Sequence, residues 1–152
     1  MSGPSRLARR VAGCAGGALV LLGLIATSVR GQEGLSVVAP RVAEAWGSGQ
    51  LRQLESFFPD EGIHLSLQGV DHRGVSRRQA RAALERFVDG FETEAMAVRR
   101  AEALGGTPEQ GLVELDWTVR AAGTPEERSF VIFISLERSS DDWYIREIRV
   151  FP

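Results

Sequence analysis

The spacing of apolar residues changes period several times along this chain, and each change marks an element. Ile63, Leu65 and Leu67 alternate with His64, Ser66 and Gln68, the period-two pattern of a strand with one covered face. Gly69 to Gly74 predicts a turn. Ser76, followed three residues later by Gln79, makes a capping box that opens a helix, with Val75 and Ala80 placed as a small hydrophobic staple. Ala80, Leu84, Phe87, Val88 and Phe91 then recur at helical spacing, so one face is apolar while the arginines face water. Gly90 is placed to end that helix.

Upstream, Val38, Val42, Ala45 and Trp46 mark one face of a short helix, with Pro40 suited to its first turn. Gly47-Ser48-Gly49 breaks it. Leu51, Leu54, Phe57 and Phe58 continue at helical spacing until Pro59. Downstream the period returns to two. Met96 to Leu104 predicts a strand, and Leu112 to Arg120 a clearer one, with Val113, Leu115, Trp117 and Val119 on its covered face. Phe130 to Leu136 is apolar on both faces. Trp143 to Phe151 closes the chain, and Ile145 and Ile148, three apart, predict a bulge. The predicted order is α-α-β-α-β-β-β-β. Helices gathered before strands joined by short turns argue an α+β domain, its helices packed on one face of a curved antiparallel sheet.

The first 31 residues stand apart. Arg6, Arg9 and Arg10 precede an uncharged run from Val11 to Val29, and Val29-Arg30-Gly31 offers a cleavage site. This is the order of a signal peptide for export to the periplasm or beyond. The run is 19 residues long, so an uncleaved anchor in the inner membrane is the alternative. Cys14 precedes the apolar stretch instead of following it, which argues against a lipid-modified cysteine. The expected organisation is therefore a leader or anchor over 1–31, a flexible tether over 32–36 and one domain over 37–152.

Composition narrows the chemistry. All 20 acidic residues, but only 14 of the 18 basic ones, follow position 31, so the mature chain is acidic by six charges. An acidic domain without a basic stripe is a poor nucleic-acid binder. Cys14 is the only cysteine, which leaves the mature domain no disulfide and no thiolate. Roughly 120 residues can bury enough surface to fold without one.

Two stretches carry a resemblance. SLQGVDHRGVSRRQARAALERFV resembles the strand, turn, Ser-x-x-Gln-Ala cap and helix of the bacterial domain-of-unknown-function family 4783. RSFVIFISLERSSDDWYIREIRVF is similar to that family's closing hairpin, with its Trp-x-Ile-x-x-Ile ending. The resemblance covers about Val37 to Phe151 and places the chain in the nuclear-transport-factor-2-like, or cystatin-like, cone fold. Asp71-His72-Arg73 makes this turn bulkier and more charged than the family's, and residues 96–111 match loosely. The family has no assigned activity, so the resemblance implies fold and export and carries over no catalytic residue.

Chemical candidates are few. His64 and His72 are the only histidines, too few for a metal centre without more carboxylates close by. Cone-fold enzymes often hold an Asp–His pair inside the cone, and the candidates here are His64 or His72 with Asp116. Alternation turns His64 and Asp116 away from the face that holds Leu65 and Trp117. Neither a catalytic residue nor a cofactor is therefore assigned. Trp46, Phe87, Trp117 and Phe133 are the candidate lining of an apolar pocket. Arg77, Arg78, Arg81 and Arg86 read as a solvated, partly paired helix face. Because helices cover only one face of the sheet, the outer apolar side of Phe130–Leu136 needs another cover, and a homodimer is the simplest. The expected role is an exported, non-catalytic domain that binds a small apolar ligand or a protein partner in the cell envelope. The alternatives are a small isomerase, cyclase or hydrolase using the His–Asp pair, and a structural or adaptor module with a filled cone.

Overall fold

Period-two burial becomes a sheet here because the strands Ile63–Leu67, Gln110–Ala121, Glu127–Ser139 and Asp142–Phe151 each have one row of side chains to hide. The computed structural model describes residues 26–152, with side chains from residue 34 onward; the leader or anchor expected over 1–31 lies almost entirely outside them. The elements are α1 (Ala26–Gly47), α2 (Arg52–Glu55), β1 (Ile63–Leu67), β2 (Val70–Val75), α3 (Arg77–Val88), β3 (Phe91–Gly105), β4 (Gln110–Ala121), β5 (Glu127–Ser139) and β6 (Asp142–Phe151). Among the described residues six strands form one sheet in the order β2-β1-β6-β5-β4-β3. Neighbours run antiparallel except β1 and β6, which are parallel, with α3 and four strands between them in the chain. This is the α+β cone that the sequence predicts.

The inner face of the sheet is built by alternation. β4 buries Val113, Leu115, Trp117 and Val119, and β5 buries Phe130, Ile132, Ile134 and Leu136. Helix α1 covers this face with Val38, Val42, Ala45 and Trp46, and α3 covers it with Ala80, Leu84 and Val88. The capping box at the start of α3 is present. Ser76 Oγ accepts from the Gln79 N–H at 3.4 Å, and Gln79 Oε1 accepts from the Ser76 N–H at 3.1 Å. Two otherwise orphaned helix donors are thus satisfied.

Bulges give the sheet its curvature. In β3 the register slips at Glu94, Arg99 and Leu104, each an extra residue facing no partner on β4. On β6 the extra residue is Arg146, between the Ser135–Glu147 and Leu136–Ile145 pairs, where the Ile145/Ile148 spacing predicts it.

Four expectations are corrected. Residues 32–36 are helical, not a tether, and Leu35 is fully buried under the β-sheet's inner face. Pro40 lies in the interior of α1 rather than in its first turn, exposed on the solvent side, where it removes one N–H from the ladder. The stretch from Gly69 to Gly74 is mostly strand: Gln68 and Gly69, at φ 51° and 84°, form the tight turn, and β2 returns along β1. Phe91 belongs to β3, because α3 ends at Val88 with Asp89 as its cap.

Candidate functional site

The interior of the cone is occupied by aromatic rings. Trp117, at the centre, packs edge-on against Trp46 at 5.8 Å and against Phe91 at 5.6 Å. It also meets Phe87 at 6.0 Å and Phe130 at 5.5 Å. Such offset and edge-to-face pairs add about 0.5–1.5 kcal/mol each beyond the area they bury. The Trp117 indole N–H donates to Thr93 Oγ1 at 3.0 Å, whereas that of Trp46 has no partner. Every fully covered side chain among the described residues is hydrophobic, so no histidine or carboxylate stands inside. Three of the four candidate pocket residues, Trp46, Phe87 and Trp117, therefore come together, and they fill the space instead of lining it.

Phe133 is elsewhere. It lies on the outer face of the sheet, where its ring meets Phe151 at 5.7 Å and 80°. The pairing register explains the neighbourhood. Residues directly opposite one another in a sheet point to the same side. Leu112, Ser135, Glu147 and His64 form one outward row across β4, β5, β6 and β1. Glu114, Phe133, Arg149 and Ser66 form the next, and Asp116, Val131 and Phe151 a third. Leu112, Phe133 and Phe151 line an open groove of about 580 Å³ together with Ser135, Glu147 and Arg149. Phe151 is 45% exposed at its edge.

Charges of both signs rim this groove. Glu147 takes His64 Nδ1 at 3.0 Å and Arg149 Nε at 2.9 Å. Arg99, the bulged residue of β3, reaches Glu114 at 2.8 Å and Asp116 at 3.0 Å. Those two hydrogen bonds raise the Arg99 pKa, so it stays a fixed cation. Beside them Asp71 is held below the usual carboxylate range, first by a hydrogen bond from Ser66 and then by His64, Arg73 and Arg149. Its contribution to stability is full above the ordinary carboxylate range and is lost as pH falls through the lowered value.

The catalytic candidates do not meet. His64 on β1 and Asp116 on β4 are separated by β6 and β5, three strand spacings or roughly 14 Å. His64 is paired with Glu147, Asp116 with Arg99, and His72 is exposed on the edge strand β2. Among the described residues no three His, Cys, Asp or Glu side chains gather as metal ligands. The α3 arginines behave as a paired face in part: Arg81 bridges Glu55 and Glu85, and Arg77 holds Asp60. Leu112, Phe151, Glu147 and Arg149 were not singled out from the sequence. Alternation alone would have placed Leu112 beside Phe133, but the charged rim depends on the parallel β1–β6 pairing, which no local pattern encodes.

No protein-family model and no curated protein matches the sequence. Solved structures do. A DUF4783 family protein from Bacteroides uniformis superposes with a TM-score of 0.58 at 18% identity, over 74% of this chain and 94% of its own. An NTF-2 like protein of unknown function from Shewanella oneidensis gives 0.58 at 15% identity, over 78% and 96%. An LEH-like epoxide hydrolase from M. tuberculosis gives 0.55 at 18% identity, over 78% and 80%. At these identities the likeness establishes the fold. The chain has the nuclear-transport-factor-2-like cone, shared with structures of the family that its two motifs resemble.

Proposed function

We propose that this chain is an exported, non-catalytic binding domain that works as a pair, two copies joined through the outer face of the sheet. One observation carries this reading: the outer face exposes an apolar groove of about 580 Å³ around Leu112, Phe133 and Phe151, while aromatic rings fill the inside of the cone. An apolar patch of this kind on a sheet marks an interaction surface. The rim favours a second copy as its occupant. Acidic Glu147, Glu114 and Asp116 alternate there with basic Arg149 and Arg99, so a two-fold related copy can set acids against bases.

Export rests on the leader: three arginines, then 19 uncharged residues. The filled cone favours a structural or adaptor module over a carrier of small apolar ligands. The epoxide-hydrolase-like neighbour shares the fold, but this chain offers little for such chemistry. His64 and Asp116 face outward, and each already has a partner, Glu147 for His64 and Arg99 for Asp116.

The variant Phe133→Glu tests the reading. It places a carboxylate at the centre of the groove without touching the inner core. Size-exclusion light scattering is expected to give the exported chain a two-chain mass at micromolar concentration and the variant a one-chain mass, with unchanged circular dichroism. A variant that keeps the two-chain mass would remove this face from the interface.

A further inference from the structure

A second cleft lies on the other side of the molecule, between α1, the loop after α2, and the turn joining β5 to β6. It encloses about 390 Å³, in the lower part of the range for small-molecule sites. Its apolar surface comes from Val37 and Val38 of α1, Phe57 and Trp143. The Ile145 N–H donates to the Phe57 carbonyl at 2.7 Å, which ties the loop to β6 and fixes the two aromatic walls relative to each other.

Both signs of charge line this cleft, and no ion pair among the described residues joins them. Arg41 lies over the Phe57 ring at 5.3 Å, and among the described residues no carboxylate forms an ion pair with it. Asp141, in the hairpin turn, and Asp142, the first residue of β6, also line the cleft, and among the described residues neither forms an ion pair with an arginine. This contrasts with the outer sheet face, where the arginines are bridged. Trp143, 5% exposed, also lines the cleft, and its indole N–H is buried without a partner among the described residues. It lies against the backbone at Gly34, where an added Cβ would come within 2.8 Å of the indole nitrogen.

We propose that this cleft is a binding site for a small zwitterion with an apolar side chain, of the α-amino acid class. The ligand carboxylate lies toward Arg41. Its ammonium group lies toward Asp141 and Asp142, and its side chain rests on Val37, Val38 and Phe57. An arginine fork suits a carboxylate, and two unpaired aspartates suit an ammonium. Neither charge alone accounts for a lining of both signs.

Isothermal titration calorimetry on the exported chain, as the cell produces it, tests the site with three probes. These are L-phenylalanine, phenethylamine, which lacks the carboxylate, and 3-phenylpropionate, which lacks the ammonium. Phenylalanine is expected to bind saturably and more tightly than either analogue. Arg41→Ala should weaken phenylalanine about tenfold, the order of one lost charge-assisted contact, and leave phenethylamine unchanged. Asp142→Asn should weaken phenylalanine and phenethylamine and leave phenylpropionate unchanged. Both positions are exposed, and circular dichroism verifies that each variant folds. Phenethylamine or phenylpropionate binding as tightly as phenylalanine would overturn the assignment. So would either variant binding phenylalanine at wild-type strength, or no saturable heat from any probe.

Discussion

Replacing Trp117 with alanine is expected to remove about 3–5 kcal/mol of folding stability, the usual cost of deleting a large core aromatic. The reason is its position. The ring is fully buried and touches Trp46, Phe87, Phe91 and Phe130, so one truncation strips contacts from α1, α3, β3 and β5 together. It also leaves the Thr93 hydroxyl without its indole donor. For a domain of ordinary stability, about 5–15 kcal/mol, that is a large share of the total. Urea unfolding followed by far-ultraviolet circular dichroism measures it. A loss below about 1 kcal/mol would mean that the rings leave spare room, and the filled cone would be the wrong description.

The second large effect is expected at a residue that looks dispensable in the sequence. Leu35→Ala should cost about 2–5 kcal/mol, because its side chain is fully buried beneath α1. Its Cδ1 lies 2.8 Å from where a Cβ on Gly111 would stand, so this turn of the helix is seated directly on β4. A residue in a flexible tether would change stability by no more than about 0.5 kcal/mol. The same unfolding experiment separates the two cases.

That seat shows why part of the chain was legible and part was not. β4, β5 and the bulge of β6 could be read because each strand has one covered face and a local period. Val113 to Val119, Phe130 to Leu136 and the Ile145/Ile148 spacing carry that information without knowledge of their partners. β2 carries none. As an edge strand with five exposed residues and one half-covered, it has no face to hide, and its Asp-His-Arg-Gly composition reads as a turn. Leu35 did leave a signal, three residues before Val38 and seven before Val42 on the face that α1 buries. Gly31 and Gly34 beside it suggested a tether instead.

The candidate site was legible in pieces. Alternation within β5 already set Phe133 on the face opposite Phe130, yet Trp46, Phe87, Trp117 and Phe133 were grouped because all four are aromatic. The structure divides them into three that pack the inside and one that opens outward. His64 was correctly turned away from the interior, but its partner Glu147 is distant in sequence and is brought alongside only by the parallel β1–β6 pair. Interior composition follows from local period; the chemistry of a surface follows from long-range register.

Native mass spectrometry of the protein tests the central claim most directly, because it reports oligomeric state and bound small molecules together. A filled cone and a paired outer face predict a two-chain species with no apolar molecule attached. A single chain carrying an apolar ligand would contradict both halves of the account.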